Sequence, residues 1–134
     1  ASKNVEGTLE EIMTKVYADI PEENRPMGLA NTEVTEENVE YFLGTKDIEY
    51  EEALASEPGI GSITHSIVLV RVKDGANVEA IEDKIEKSIN PRKWVCVGVE
   101  DKDVIVENKG DLIVIIIVQD KDNRQKLADA FNNL

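Results

Sequence analysis

The longest apolar run of the chain is Leu112-Ile113-Val114-Ile115-Ile116-Ile117-Val118, and it decides the fold. A strand with one solvated face alternates apolar and polar side chains, whereas seven consecutive apolar residues are typical of a strand that is covered on both faces. The run is far shorter than the ~20 residues that a membrane-spanning helix needs. It therefore predicts a central strand in a sheet that helices cover on both sides.

Further strands are predicted along the chain before this run. Residues 63–73 form an apolar-rich segment that ends at the turn pair Asp74-Gly75. Residues 94–99 and 104–107 follow later, and their short connections are typical of hairpins. Residues 48–55 also alternate and are predicted to be a strand, although their glutamates would suit a helix, so both assignments stay open.

Helices are predicted where apolar residues recur at intervals of three and four. Thr8 and Glu11 form a capping box, the arrangement in which two side chains satisfy free amides at a helix start. The loop between the first two helices is predicted at residues 21–34. The predicted helices cover residues 8–20, 35–43 and 77–90 and a C-terminal segment from about Asp122. Thr35 and Asn77 are the predicted caps of the second and third helices, and Gly44 is the predicted stop of the second.

These elements predict a single α+β domain over residues 1–134, in which residues 1–7 are a flexible tether or the remnant of a trimmed chain. The predicted sheet is mixed but mainly antiparallel and has about four to five strands. Strand parity places Val68, Val70 and Val72 on one face and His65, Ile67, Leu69 and Arg71 on the other. We expect the C-terminal helices on the valine face and the N-terminal helices on the opposite face, as a three-layer sandwich.

Composition excludes several functions. The net charge of -13 repels phosphate backbones and anionic membrane surfaces, so nucleic acid is not an expected partner. A single cysteine, Cys96, excludes an intramolecular disulfide and a zinc site of several thiolates. The acidic stretches at 33–40, 49–52 and 100–103 lack the spacing of a calcium loop and are interpreted as solvated surface. Neither a metal nor a cofactor is predicted.

Cys96 and His65 are the only pair that resembles a nucleophile and its base, because an imidazole can lower a thiol pKa and accept its proton. Strand parity allows both on one sheet face but does not establish that they are close. The competing interpretation makes Cys96 a small core residue and places His65 at the surface end of a strand.

The predicted ligand-binding surface combines a basic and aromatic segment with a glycine loop. An aromatic ring beside two cations can clasp an anionic or aromatic ligand, although the tryptophan can equally close the end of the core. The loop at 57–62 lacks the lysine of a phosphate-binding loop and supports only a mobile lip. The predicted ligand-binding residues are Arg92, Lys93, Trp94, Gly59, Gly61 and Arg71.

The segment Ser66-Ile67-Val68-Leu69-Val70-Arg71-Val72-Lys73-Asp74-Gly75, followed by a helix and by Lys109-Gly110-Asp111-Leu112-Ile113-Val114, resembles a family of uncharacterised bacterial surface lipoproteins. That family is known as domain of unknown function four-three-five-eight. The resemblance spans roughly residues 9–118 and implies an extracytoplasmic protein of Gram-positive anaerobes, anchored to the cell membrane by a lipid on a cysteine that precedes this sequence. It implies no catalytic residues.

The sequence thus favours a non-enzymatic, surface-tethered binding or accessory module whose partner is an unknown protein, peptide or small ligand. Contact with a membrane is expected only through the lipid anchor. The alternative is a hydrolase or transferase that uses Cys96 and His65. A third possibility is a structural domain that forms oligomers.

Overall fold

The computed structural model describes residues 6–25, 28–58, 65–73, 75–89 and 104–134. The predicted strand at 94–99 lies outside these residues. A short 3-10 helix, Glu22–Asn24, follows the first α-helix. The helices and strands are, in chain order, α1 (Leu9–Val16), β1 (Leu29–Glu33), α2 (Val39–Leu43), β2 (Glu52–Pro58), β3 (His65–Arg71), α3 (Val78–Ser88), β4 (Ile105–Lys109), β5 (Leu112–Val118) and α4 (Lys121–Asn132).

The five described strands form one sheet in the order β1-β2-β3-β5-β4. All four pairings between these strands are antiparallel. The predicted α+β class with four to five strands is confirmed. The prediction of a mixed sheet was wrong for the described strands: the chain leaves β3 through α3 and returns through the β4–β5 hairpin, so β5 runs antiparallel to β3.

The apolar run forms β5, the strand between β3 and β4, and all seven of its side chains are buried. Its neighbours fix its register through pairs such as Val68 with Ile115 and Ile105 with Ile116. Because successive side chains point to opposite faces, β5 contributes to two separate cores. The prediction of a doubly covered central strand is confirmed.

The two cores differ in the helices that cover them. One, the outer-helix core, packs α1 and α4 on the face that carries Ile67, Leu69 and Val114. The other, the inner-helix core, packs α2 and α3 on the face that carries Val68 and Val70. Each helix packs its apolar stripe against one face of the sheet. The described central strands are therefore shielded from solvent on both faces.

This arrangement corrects the predicted layers. The N-terminal and C-terminal helices lie together on one face, and the two central helices lie on the other. Strand parity correctly separated Val68 and Val70 from Ile67 and Leu69. It did not decide which helix covers which face, because both faces are apolar and each attracts any amphipathic helix.

A strand was missed in the segment predicted to be a loop. β1 has a half-buried Leu29 followed by four exposed residues, so it shows no hydrophobic alternation. Pairing with β2, from Leu29 opposite Pro58 to Glu33 opposite Leu54, holds it in place. The strand at 48–55 was placed too early, because the partner strands fix β2 at Glu52–Pro58.

The helix starts follow their capping residues. The side chains of Thr8 and Asn77 accept hydrogen bonds from amides in the first turns of α1 and α3, as predicted. The predicted start of α2 at Thr35 was four residues early. The Thr35 carbonyl instead accepts the amides of Asn38 and Val39 in a turn, and the helix begins at Val39.

Gly44 ends α2 in the left-handed conformation, with φ of 84°. An added Cβ atom would overlap the carbonyl group of Ser88 and lie 2.6 Å from the amide nitrogen of Ile89. The C-terminal ends of α2 and α3 therefore approach so closely that only glycine fits between them.

We expect Gly44→Ala to lower the free energy of unfolding by about 3 kcal/mol or more, because steric overlap adds to backbone strain. Gly75→Ala is the matched control. Gly75 has φ of 81° but no atom within 4 Å of an added Cβ. Its substitution therefore lowers the free energy of unfolding only through backbone strain, by about 1 kcal/mol. Urea unfolding of both variants measures the difference, and equal losses would contradict the close approach.

Candidate functional site

Most of the predicted site residues lie outside the described residues. These residues are Cys96, Arg92, Lys93, Trp94, Gly59 and Gly61. The pairing of Cys96 with His65 and the ligand surface around Trp94 therefore stay predictions. The structure places His65 and Arg71 at opposite ends of β3, six residues apart. At about 3.3 Å per residue this separation is roughly 20 Å, too far for the two side chains to share a small-molecule site.

His65 is buried, with only 2% of its surface exposed, which corrects the expectation of a surface histidine. Its Nε2 atom lies 2.8 Å from the hydroxyl oxygen of Tyr17. The same hydroxyl lies 2.9 Å from Oγ of Ser56, whose side chain is also buried. Together the three side chains form a hydrogen-bonded polar cluster at one end of the outer-helix core, which we call the His65 cluster.

Arg25 closes the His65 cluster on the side of α1. Its guanidinium carbon lies 5.3 Å from the centre of the Tyr17 ring, a cation–π distance. Nε donates to the Ile20 carbonyl at 3.0 Å, and Nη2 donates to the Tyr17 carbonyl at 2.9 Å. These bonds fix the arginine over the ring and satisfy carbonyl groups at the C-terminal end of α1.

Burial determines the protonation states in the His65 cluster. It lowers the pKa of His65 to about 4, so the imidazole is neutral at physiological pH. Burial also raises the pKa of Tyr17, so its hydroxyl keeps its proton. A neutral imidazole beside a tyrosine hydroxyl can in principle exchange a proton. Here all three side chains are buried, and the Tyr17 hydroxyl bonds to both Ser56 and Nε2 of His65.

We expect His65 to make the protein less stable in mild acid. The unfolded chain binds a proton on this histidine below about pH 6.5, whereas the folded chain resists protonation down to about pH 4. The stability contributed by neutral His65 is therefore complete above about pH 6.5 and is lost as the pH falls towards about 4.

Urea unfolding of the wild type and of His65→Gln at about pH 7.5 and about pH 5 measures this contribution, about 2 kcal/mol over the interval. Glutamine is neutral at both pH values and can still bond to Tyr17. The carboxylates are the same in both proteins, so the difference between the pH dependence of the wild type and that of the variant isolates His65. An equal loss of stability in both proteins would contradict the assignment.

A second polar cluster lies on the opposite face of the same strand ends. The Ser66 hydroxyl donates to Oε2 of Glu57 at 2.6 Å, and the Tyr41 hydroxyl donates to Oε1 of Glu57 at 3.3 Å. Burial and Glu57 raise the pKa of Tyr41 to about 12. The ends of β2 and β3 are thus held by a tyrosine on each face of the sheet.

Arg71 lies at the other end of β3, where it joins three parts of the chain. Its guanidinium donates to both carboxylate oxygens of Asp111 at 3.2 and 3.1 Å, to Glu52 at 3.4 Å and to the Gly7 carbonyl at 3.0 Å. Its side chain is only 13% exposed. These contacts join the segment before α1 to the β4–β5 turn and to the first residue of β2, which is a structural use of the predicted ligand-binding arginine.

An open cleft of about 670 Å³ lies beside the inner-helix core. Its apolar floor is formed by Val39, Ile48 and Tyr50, which pack against that core. Two lysines and two glutamates surround the floor. The lining residues are Glu36, Val39, Lys46, Ile48, Glu49, Tyr50 and Lys73.

The electrostatics of the cleft are mixed. Burial and the nearby carboxylates of Glu36 and Glu33 raise the pKa of Tyr50, so its hydroxyl remains a hydrogen-bond donor. Lys46 and Lys73 are exposed, and neither forms an ion pair with a carboxylate among the described residues. The cleft can therefore offer cations, carboxylates and an apolar surface to one ligand.

Sequence reasoning missed this cleft because its lining comes from three separate segments, 36–39, 46–50 and residue 73. None of them forms a local motif. Among the described residues, no group of three or more histidine, cysteine, aspartate or glutamate side chains is arranged to hold a metal ion. Within the same ranges, no helix is long and apolar enough to cross a membrane.

No family model, curated protein or solved structure matches the chain. The resemblance to the surface-lipoprotein family therefore stays a prediction from sequence.

Proposed function

We propose that this protein is a non-enzymatic binding or accessory module, and that the cleft beside the inner-helix core is a ligand site. The observation that carries this proposal is the contrast between two polar regions. The cleft is open and lined by exposed charged residues, whereas the only histidine is buried and hydrogen-bonded to Tyr17. Side chains that can bind are accessible, and the described imidazole that could catalyse is not.

The chemistry of the lining indicates the class of ligand. A volume of about 670 Å³ lies within the usual ~300–1,000 Å³ of small-molecule sites. Lys46 and Lys73 can bind a carboxylate, Glu36 and Glu49 can bind an ammonium group, and the apolar floor can contact an aliphatic or aromatic part. A free amino acid or a short peptide combines these groups.

The location belongs to the same proposal. The resemblance of the Ser66–Gly75 and Lys109–Val114 segments to surface lipoproteins supports a module tethered outside the cytoplasmic membrane. A cleft for amino acids or short peptides suits such a position, because extracellular peptides would reach it directly. The surface around Arg92, Lys93 and Trp94 is a second predicted contact region of this module.

Calorimetric titration with free amino acids and with di- and tripeptides tests the cleft. We expect Lys73→Glu to weaken binding about tenfold or more, because it replaces a favourable charge by a repulsive one, and tenfold corresponds to about 1.4 kcal/mol. Lys126→Glu is the matched control, since Lys126 is an exposed lysine on α4, on the other side of the sheet. Equal effects of the two reversals, or no binding by the wild type, would contradict the cleft as the site.

The surface predicted around Trp94 has a separate readout in the same titrations. A ligand there changes the fluorescence of the single tryptophan, and Trp94→Phe then weakens binding. If the fluorescence does not change and Trp94→Phe binds with unchanged affinity, the ligand does not bind at that surface.

Thiol labelling tests the alternative hydrolase or transferase, which requires a reactive Cys96. We expect Cys96 to react only after denaturation, because free cysteines are among the most buried side chains and His65 already bonds to Tyr17. Rapid labelling of the native protein at neutral pH would favour the enzyme instead.

A further inference from the structure

β1 is an outer strand of the sheet with an exposed edge. It pairs with β2 on one side, and none of the described strands pairs with the other side. Ala30, Asn31, Thr32 and Glu33 are all exposed. An unpaired edge presents a row of backbone donors and acceptors that can pair with another chain.

The hydrogen-bond pattern shows which backbone groups face outwards. The Val34 amide donates to the Ala53 carbonyl at 3.0 Å, so Val34 points its backbone towards β2. Residues alternate in an antiparallel ladder, and Thr32 therefore also faces β2 while Asn31 and Glu33 face away. The outward carbonyl of Glu33 accordingly accepts a bond from the Asn38 side chain at 3.1 Å. The amide and carbonyl of Asn31 and the amide of Glu33 remain directed outwards.

The edge has little of the usual protection against pairing. Natural edge strands are commonly guarded by charged side chains, above all lysine, by proline or by a bulge, and the one charged residue of β1 is Glu33, which repels an acidic chain and attracts a cationic one. The sequence of β1, Leu-Ala-Asn-Thr-Glu, contains neither lysine nor proline, and its register with β2 is continuous over all five residues. The strand is therefore suited to accept an additional strand.

Charge indicates what kind of strand this edge would accept. Residues 28–58, which include β1, α2 and β2, carry nine carboxylates and a single lysine. This is the part of the chain that surrounds the edge. A second copy of the protein brings the same charge of -13 and is repelled, whereas a cationic segment is attracted.

One face of the edge has room for a long cationic side chain. Ala30 lies opposite Glu57 in the register, and Thr32 lies on the same face. Both are small, and next to them Tyr41 is 47% exposed and bonded to Glu57. A lysine or arginine of an added strand can extend across Ala30 towards the Glu57 carboxylate and the Tyr41 ring.

We propose that β1 binds an extended segment of a partner protein, with lysine or arginine at alternate positions, as an additional strand of the sheet. Backbone hydrogen bonds to Asn31 and Glu33 supply the pairing, and the acidic surroundings select a cationic segment. This site goes beyond the proposed small-ligand function, because it uses the edge of the sheet and none of the cleft lysines.

Fluorescence anisotropy with a ten-residue synthetic peptide of alternating lysine and threonine tests the proposal. Asn31→Pro removes the outward amide without breaking the ladder to β2, and Asn31→Thr keeps the amide. We expect the wild type and Asn31→Thr to bind the peptide and Asn31→Pro to bind about tenfold more weakly or not at all. A peptide that is N-methylated at alternate amides keeps its charge and loses pairing, so we expect the wild type to bind it weakly as well.

Three results would overturn the proposal. The first is equal binding by Asn31→Pro and Asn31→Thr together with full binding of the methylated peptide, which would leave charge alone as the cause. The second is the absence of binding to the unmodified peptide. The third is sedimentation of the wild type as a dimer that Asn31→Pro abolishes, which would make a second copy the occupant. If Asn31→Pro does not fold, the comparison of the two peptides on the wild type tests the proposal. Lys73→Glu changes the cleft and leaves the edge intact, so peptide binding at the edge should not weaken in this variant.

Discussion

The burial of β5 on both faces is the constraint on which the rest of the structure depends. Its seven apolar side chains gain free energy only where helices exclude water from each side of the sheet. Its backbone groups are satisfied only by a strand on each edge, which β3 and β4 provide. One sequence feature therefore requires three layers and a central position for β5. In the structure α1 and α4 cover one side, and α2 and α3 cover the other.

Because helices cover both faces of this sheet, its accessible surfaces are the strand ends and the outer edge. At one end of β2 and β3, two tyrosines fix the strand ends through Ser56 and Glu57. At the other end, the cleft opens beside Tyr50, and along the side the edge of β1 is exposed. These surfaces combine charge with accessible backbone or aromatic groups, which the sealed faces lack. The cleft and the edge thus differ in position and in the ligands that we propose for them.

The sequence predicted the features that local chemistry determines. The apolar run, the caps at Thr8 and Asn77 and the glycine stop at Gly44 are each decided within a few residues, and all are confirmed. β1 was missed because its pairing with β2, and not its own side chains, makes it a strand. The cleft was missed because distant segments form it, and His65 was misplaced because Tyr17, its buried partner, lies 48 residues away in the chain.

The shared face of α1 and α4 has a consequence for the order of folding. During synthesis the first helix of this domain emerges long before its last strand and last helix. Its apolar stripe can meet Leu54, Ile67 and Leu69 earlier, but the outer-helix core is complete only when Phe131 and its neighbours have left the ribosome. The domain cannot complete its packing in the order in which its residues are synthesised. The nascent chain therefore stays incompletely packed until translation of the domain is complete.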